Sequence, residues 1–331
     1  MHTVKRVGLP PRILYEHNNN MVMAERNQKQ TFWREFLWLW SIAGTVSAVS
    51  LSLSHFPLAG LERQLLIPFH AQSTSAILIE LIAQSSIHLA IAIGVGLLAS
   101  RRVGLGAPLL EAWLRGGPIS PRLYAAVIPI LLTTTLIVTC TVLSNSSILH
   151  PNRMQNAMAA KELANSPEAA KLNEQIERSG LEGTKPYTES SLAISYLSGA
   201  IGGELRARLF ELSVVVLLFV QAFDKPQTIA DRKFVWAAIL IVASIHAIYT
   251  LWMLHENTLI VSEVLRGAGL QLSVDPNWLV AVRENLPIFP PGVALGWLYS
   301  RHGVESAILA SFFGAITTHW FINFVWIHFA S

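Results

Sequence analysis

The chain alternates long apolar stretches with shorter polar and basic segments. A transmembrane helix requires about 20 consecutive apolar residues, and seven stretches reach about that length: residues 36–54, 76–99, 123–143, 192–220, 234–254, 276–300 and 305–329. Within a bilayer each backbone polar group has to be satisfied inside its own segment, so such stretches form helices. The pattern predicts an all-α, polytopic membrane bundle with about seven transmembrane helices.

Composition and the placement of charge agree with a membrane protein. The chain is 52% hydrophobic and only 14% charged, whereas soluble domains carry about 25% charged residues. Lys and Arg are concentrated before the first apolar stretch, between the second and third, and after the fourth. Because cytoplasmic loops carry the excess of basic residues, we predict a multi-pass protein with a cytoplasmic N-terminus.

The stretches and the polar segments between them divide the chain into four regions. We predict a cytoplasmic polar tail over 1–34, an N-terminal three-span region over 35–144, an extramembrane polar insertion over 145–190 and a four-span core over 191–331. Residues 166–180 of the insertion have the start and stop signals of a short helix, which is either a lid over a site or a solvated connector. The sixth stretch is expected to kink or break, because it contains Pro287, Pro290 and Pro291.

Four charged residues lie inside the fourth apolar stretch, namely Glu204, Arg206, Arg208 and Glu211. An ionised side chain at the bilayer centre costs about 2.5–3.5 kcal/mol on insertion scales, so it normally faces a protein interior and has a partner. On an α-helix Glu204, Arg208 and Glu211 share one stripe, and Arg206 points away from it. The spacing predicts a buried acid–base pair, which is either a general base with its orienting cation or a structural ion pair.

Three further polar residues lie in the last spans. His319 and Asn323 are one turn apart and can offer an imidazole nitrogen and an amide oxygen to one metal or water. His246 lies ~18 Å and His319 ~21 Å from the cytoplasmic edge of its span, so the two have the similar depth that a shared site requires. The alternatives are a hydrogen-bonded packing histidine and a helix end near the headgroups. The sequence has no phosphate loop, H-E-x-x-H helix, serine elbow or nucleic-acid module.

Taken together, these motifs resemble the CPBP family of intramembrane endopeptidases, which includes relatives of the type II CAAX prenyl protease and of bacteriocin-immunity proteins. The family has E-E-x-x-x-R on one span, F-x-x-x-H on the next, and H-x-x-x-N or H-x-x-x-D on the last. Segments 203–208 and 242–246 resemble the first two motifs, and 292–310 resembles the run that leads into the third. Segment 104–114 also looks like bacterial members.

The chain departs from the family pattern at several positions. Gly203 stands where the first Glu belongs, Val242 replaces the Phe, and Ser311 and Ala315 fall in register with the last His and amide. The resemblance implies a metal-dependent endopeptidase of the bacterial plasma membrane that cleaves a membrane-associated substrate. Its site would consist of Glu204 as base, Arg208 as orienting partner, His246 and His319 as ligands of a divalent metal such as zinc, and Asn323 as an auxiliary ligand or oxyanion donor.

Two alternatives stay open beside the endopeptidase. One is a catalytically inactive family member that acts as a membrane binding or scaffold protein, which the departures at Gly203, Ser311 and Ala315 favour. The other is a small-solute transporter, which paired half-length repeats would indicate, and no such repeat is apparent. The expected partners are the lipid bilayer and a peptide or protein that is a substrate or membrane partner, with no nucleic acid.

Overall fold

A computed structural model describes residues 30–52, 74–145, 189–223, 231–267 and 286–329 of the chain. Within these ranges the side chains of residues 74–78, 145, 189–191, 253–267, 286 and 323–329 lie outside the description. The predictions for the polar tail up to residue 29, for the insertion between 146 and 188, and for the side chain of Asn323 therefore fall outside the described residues.

Every described element is a helix, which confirms the all-α prediction for this part of the chain. Helix α1 covers residues 30–52, and α2 (Thr74–Val103), α3 (Pro108–Leu114) and α4 (Ser120–Asn145) follow. Helix α5 (Glu189–Glu204) continues directly into a π-helix (Leu205–Leu212) and then into α6 (Ser213–Ala222). The last elements are α7 (Arg232–Gly267), a 3-10 turn (Leu286–Ile288), α8 (Phe289–His302) and α9 (Val304–Phe329).

Three of these helices contain segments that are long and apolar enough to cross a membrane: Ile79–Val103, Ser120–Ser144 and Arg232–Trp252. They coincide with the second, third and fifth apolar stretches of the sequence. Large apolar side chains on their outer faces are exposed, among them Ile91, Ile128 and Ile248. Large exposed apolar surfaces are rare on soluble monomers, so this surface fits contact with lipid.

The core of the bundle forms around the π-helix. Helix α2 packs along the π-helix and α6, α9 packs against α4 and α5, and α8 packs against α7, α4 and α9. Fully buried side chains come from α2, the π-helix, α7, α8 and α9: Ile93, Leu97, Leu205, Leu209, Leu212, Ile239, Leu298 and Val304. Helices from the predicted 35–144 and 191–331 regions thus share one core.

Helix α2 approaches the π-helix very closely at Gly96. A Cβ atom added to Gly96 would lie 2.7 Å from the backbone carbonyl oxygen of Leu209, closer than atoms that are not bonded to each other normally come. The absence of a side chain at this position therefore allows the contact between the two helices.

The π-helix changes which side chains of the fourth stretch are neighbours. Hydrogen bonds in a π-helix run from residue i to i+5, so side chains five apart come together. Arg206 Nε accordingly donates to Glu211 Oε1 at 3.1 Å. The prediction that Arg206 points away from Glu211 is wrong, because it assumed a regular α-helix through this segment.

Prolines mark the start of α8, while residues 276–285 of the sixth stretch lie outside the described residues, so the kink or break in that stretch stays a prediction. Pro287 lies in the 3-10 turn, while Pro290 and Pro291 follow at the beginning of the helix, where a missing backbone N–H costs least. Gly303, with φ of 88°, ends the helix, and its N–H donates to the Tyr299 carbonyl at 2.9 Å. At 14 residues α8 is ~21 Å long, shorter than the ~30 Å hydrocarbon core of a bilayer.

The loop before α3 and the first turn of α3 form hydrogen bonds with the start of α9. The Leu110 backbone N–H donates to Glu305 Oε1 at 2.8 Å, and the Val304 N–H donates to the Gly106 carbonyl at 3.0 Å. At the same end of α2, Arg101 Nη2 lies 3.0 Å from Glu35 Oε2 of α1. Segments 104–114 and 292–310, which carry part of the family resemblance, are therefore in direct contact.

Candidate functional site

Glu204 and Arg208 form a buried ion pair at the junction of α5 and the π-helix. Arg208 Nε donates to Glu204 Oε2 at 3.1 Å, and each side chain is less than a tenth exposed. The predicted buried acid–base pair is thus confirmed. Arg208 Nη1 is also buried and has no hydrogen-bond partner among the described residues, so one donor of the guanidinium group remains available.

Side chains from α7 and α9 come close to this pair. Ser311 of α9 and His246 of α7 both lie close to the Glu204 carboxylate. Ser311 is the residue that falls in register with the histidine of the third family motif. The contact between Glu204 and Ser311 therefore agrees with the register that the resemblance implies.

The nearest acid to His246 is Glu211 rather than Glu204. His246 Nε2 lies 2.7 Å from Glu211 Oε2, while the other carboxylate oxygen of Glu211 accepts the bond from Arg206. Arg206 is 67% exposed and Glu211 only 22%. The three side chains form a continuous polar chain that leads from the surface of the bundle towards α7.

His319 lies in a different place, beside Tyr196 of α5. His319 Nδ1 is 3.0 Å from the Tyr196 hydroxyl, and the two rings are 5.6 Å apart. Tyr196 precedes Glu204 by two helical turns and His319 follows Ser311 by two turns, which corresponds to ~12 Å along each helix. His319 is therefore placed two turns away from the Glu204 carboxylate.

The structure also describes two positions at which the chain differs from the family pattern, Gly203 and Ala315. Gly203 is exposed, and a Cβ atom added there would meet no other atom within 4 Å. The position leaves space for a larger residue, so the missing first Glu is not explained by a steric conflict. Ala315 follows Ser311 by one turn, and its methyl group offers no ligand atom.

The described side chains do not fit a bound divalent metal. Zinc takes three or four nitrogen, sulfur or oxygen ligands from protein side chains. In the ranges that the structure describes, no group of three or more His, Cys, Asp and Glu residues can hold a metal ion. Glu204 is paired with Arg208, His246 with Glu211 and His319 with Tyr196, so the predicted base and the two predicted histidine ligands have separate partners.

Two residues of this region, Glu211 and Tyr196, were not predicted as partners of the histidines. Nothing in the pattern of apolar residues indicates the π-helix, which decides the environment of Glu211. Tyr196 could have been predicted as the neighbour of His319. When α5 and α9 pack side by side in opposite directions, the residue two turns before Glu204 faces the residue two turns after Ser311. That antiparallel pairing requires only that Glu204 faces Ser311.

Comparison with known proteins identifies no relative of this chain. No family model matches the chain, and no curated protein or solved structure matches it. The resemblance to the CPBP family rests on segments 104–114, 203–208, 242–246 and 292–310. Beyond these segments, an argument about function has to start from the geometry around Glu204.

Proposed function

We propose that the chain is a catalytically inactive relative of the CPBP endopeptidases that acts as a membrane binding or scaffold protein. The observation that carries this proposal is the separation of the predicted metal ligands. The predicted ligands His246 and His319 bond Glu211 and Tyr196, and the predicted base Glu204 bonds Arg208. A metal would have to break both histidine contacts to gather these ligands. Ser311 and Ala315 supply no imidazole or carboxylate in their place.

The helical bundle is proposed to span a membrane. In this proposal the chain crosses the bacterial plasma membrane about seven times, with its N-terminus in the cytoplasm, and binds lipid and a peptide or protein partner. The support is that α1, α5 to α6, α8 and α9 pack against the three apolar helices. Arg101 and Arg102 lie in the last turn of α2, and Arg115 lies between α2 and α4, which fits a cytoplasmic end of these helices.

The orientation can be tested by labelling Arg115→Cys in a Cys140→Ser background with a membrane-impermeant maleimide. Arg115 is exposed and lies outside the apolar segments, so we expect labelling only after the membrane of intact cells is permeabilised. Ser52→Cys, at the other end of the bundle, serves as the control and should label from outside. Labelling of Arg115→Cys in intact cells would show that the orientation is inverted.

The buried ion pair then has a structural role. Its two charges attract each other inside the bundle. This attraction offsets part of the free energy that removing each charge from water costs. Through Ser311 the pair also connects α5 to α9. It thereby fixes the rotation of these two helices, which is a known use of buried polar groups.

Endopeptidase activity is the second candidate, and the contact of Glu204 with Arg208 favours it. An adjacent guanidinium favours the ionised form of a carboxylate, and the ionised form can accept a proton from an attacking water as general base. Arg208 Nη1, which lacks a partner among the described residues, can donate to a developing oxyanion. A divalent metal in this candidate would require His246 and His319 to leave their contacts with Glu211 and Tyr196.

The two candidates differ in metal content and in cleavage. For the purified full chain in lipid nanodiscs we expect substoichiometric zinc by mass spectrometry. We also expect no cleavage of fluorogenic membrane peptides beyond that of Glu204→Gln. Stoichiometric zinc that is lost in His246→Ala and His319→Ala but kept in His88→Ala would favour the endopeptidase, as would cleavage that is lost in Glu204→Gln.

A further inference from the structure

A polar cleft lies between α1, α2 and α5. Its lining residues on α2 belong to the first half of that helix, whereas Arg101 lies in the last turn. Its volume is about 540 Å³. Gln84 and His88 of α2 line it together with Leu51 and Leu81. The remaining polar side chains are serines from all three helices: Ser47, Ser50, Ser85, Ser195 and Ser198.

The polar residues recur at helical spacing, so each helix turns one polar stripe into the cleft. On α2 the stripe contains Gln84, Ser85 and His88, which lie within one turn of each other. The neighbouring Ile87 and Ile91 of the same helix are exposed but do not line the cleft, whereas Gln84 and His88 are exposed at its open side. Polar side chains within membrane spans normally face protein or a water-filled cavity, and three such stripes converge here.

Direct hydrogen bonds join α1 and α2 at the cleft. Ser47 Oγ lies 3.1 Å from Ser85 Oγ, and both residues line the cleft. Trp40 Nε1 donates to the Ser86 carbonyl at 3.1 Å, and the lining residue Ser50 is buried. The two helices that form one side of the cleft are therefore bonded to each other.

Helix packing alone does not account for this arrangement. Serine and glycine at helix interfaces allow close approach of the backbones, but close approach removes space, whereas this cleft stays open. Its volume falls within the range of about 300–1,000 Å³ typical of ligand pockets. Gln84 and His88 also extend longer polar side chains along its wall than close packing needs.

We propose that this cleft binds an uncharged, hydroxyl-rich group, either a free sugar or the sugar headgroup of a glycolipid. Serine hydroxyls and the glutamine amide both donate and accept hydrogen bonds, which matches the hydroxyls of a sugar. Among the described lining residues His88 is the one ionisable side chain, and none of them is Lys or Arg, so these residues offer an anionic phosphate group no lysine or arginine counter-charge. The inference is independent of the function proposed for the Glu204 region.

The first test measures access of water to the cleft. In the full chain with Cys140→Ser, Ser85→Cys should react with an anionic methanethiosulfonate about tenfold faster than the lipid-facing control Ile91→Cys, since thiolate formation requires water. Ser198→Cys, on the opposite wall, provides a second reporter if Ser85→Cys does not fold. Equal rates at the cleft positions and Ile91→Cys would overturn the proposal.

The second test identifies the ligand with two probes. One arm adds maltose to the chain in phosphatidylcholine nanodiscs, and the other uses nanodiscs that contain monoglucosyl diacylglycerol. A probe that binds should slow labelling of Ser85→Cys about tenfold at ten times its dissociation constant, and Gln84→Leu should weaken this protection. Protection by maltose indicates a soluble sugar, and protection by the glycolipid alone indicates a headgroup. Absence of protection in both arms would contradict the proposal.

Discussion

Replacing Glu204 by Gln is expected to lower the free energy of unfolding of the bundle by about 3–5 kcal/mol, because the change leaves the Arg208 guanidinium buried without a counter-charge. Both side chains of the pair are less than a tenth exposed, so water cannot compensate for the lost carboxylate charge. The measurement is reversible unfolding of the purified chain in mixed detergent and lipid micelles.

A matched control exists on α3, where Glu111 and Arg115 form the same Glu–Arg pair four residues apart but are exposed. Glu111→Gln should cost less than about 0.5 kcal/mol, since exposed pairs of this spacing contribute little. A second control, Glu204→Gln with Arg208→Met, should be more stable than Glu204→Gln alone because it removes the unpaired charge. Equal losses for Glu204→Gln and Glu111→Gln would contradict the buried pair.

The second large effect is expected for Gly96→Ala, which should destabilise the bundle by about 1–3 kcal/mol through overpacking. The added Cβ atom would lie 2.7 Å from the Leu209 carbonyl oxygen, and that oxygen belongs to the backbone of the π-helix. A backbone atom cannot move aside as a flexible side chain can, so α2 has to shift away from the π-helix. Unfolding under the same micelle conditions measures the loss.

Gly203→Ala is the matched control for Gly96→Ala, because it makes the same chemical change in a helix with nothing within 4 Å of the new atom. It should be neutral or stabilising by up to about 1 kcal/mol, since Ala restricts the unfolded chain more than Gly does. A stability loss in Gly203→Ala as large as that in Gly96→Ala would mean that the close contact with Leu209 does not set the cost.

Features that depend on neighbours along the chain could be predicted from the sequence. The bond between Glu204 and Arg208 joins residues four apart, a spacing that α-helical geometry brings together. The start of α8 follows from prolines, which lack the N–H and the φ freedom that a helix interior needs. The three apolar helices follow from length and hydrophobicity alone.

The partners of the two histidines could not be predicted with the same reasoning. His246 and His319 were paired by their estimated depth in the membrane, but depth says nothing about the direction in which a side chain points around its helix. The contacts with Glu211 and Tyr196 depend on the π-helix and on the antiparallel register of α5 and α9. The π-helix is not visible in the order of apolar and polar residues, and the register follows only once Glu204 is placed opposite Ser311.

The sequence by itself determined that this protein is built of helices, that several of them are apolar enough to cross a membrane, and that Glu204 and Arg208 form a pair. Only the tertiary structure decided that Ser311 faces Glu204, that the histidines have separate partners, and that serines from three helices line one cleft. The physical reason is that these contacts depend on the rotation and register of packed helices, and residues far apart in the chain set both together.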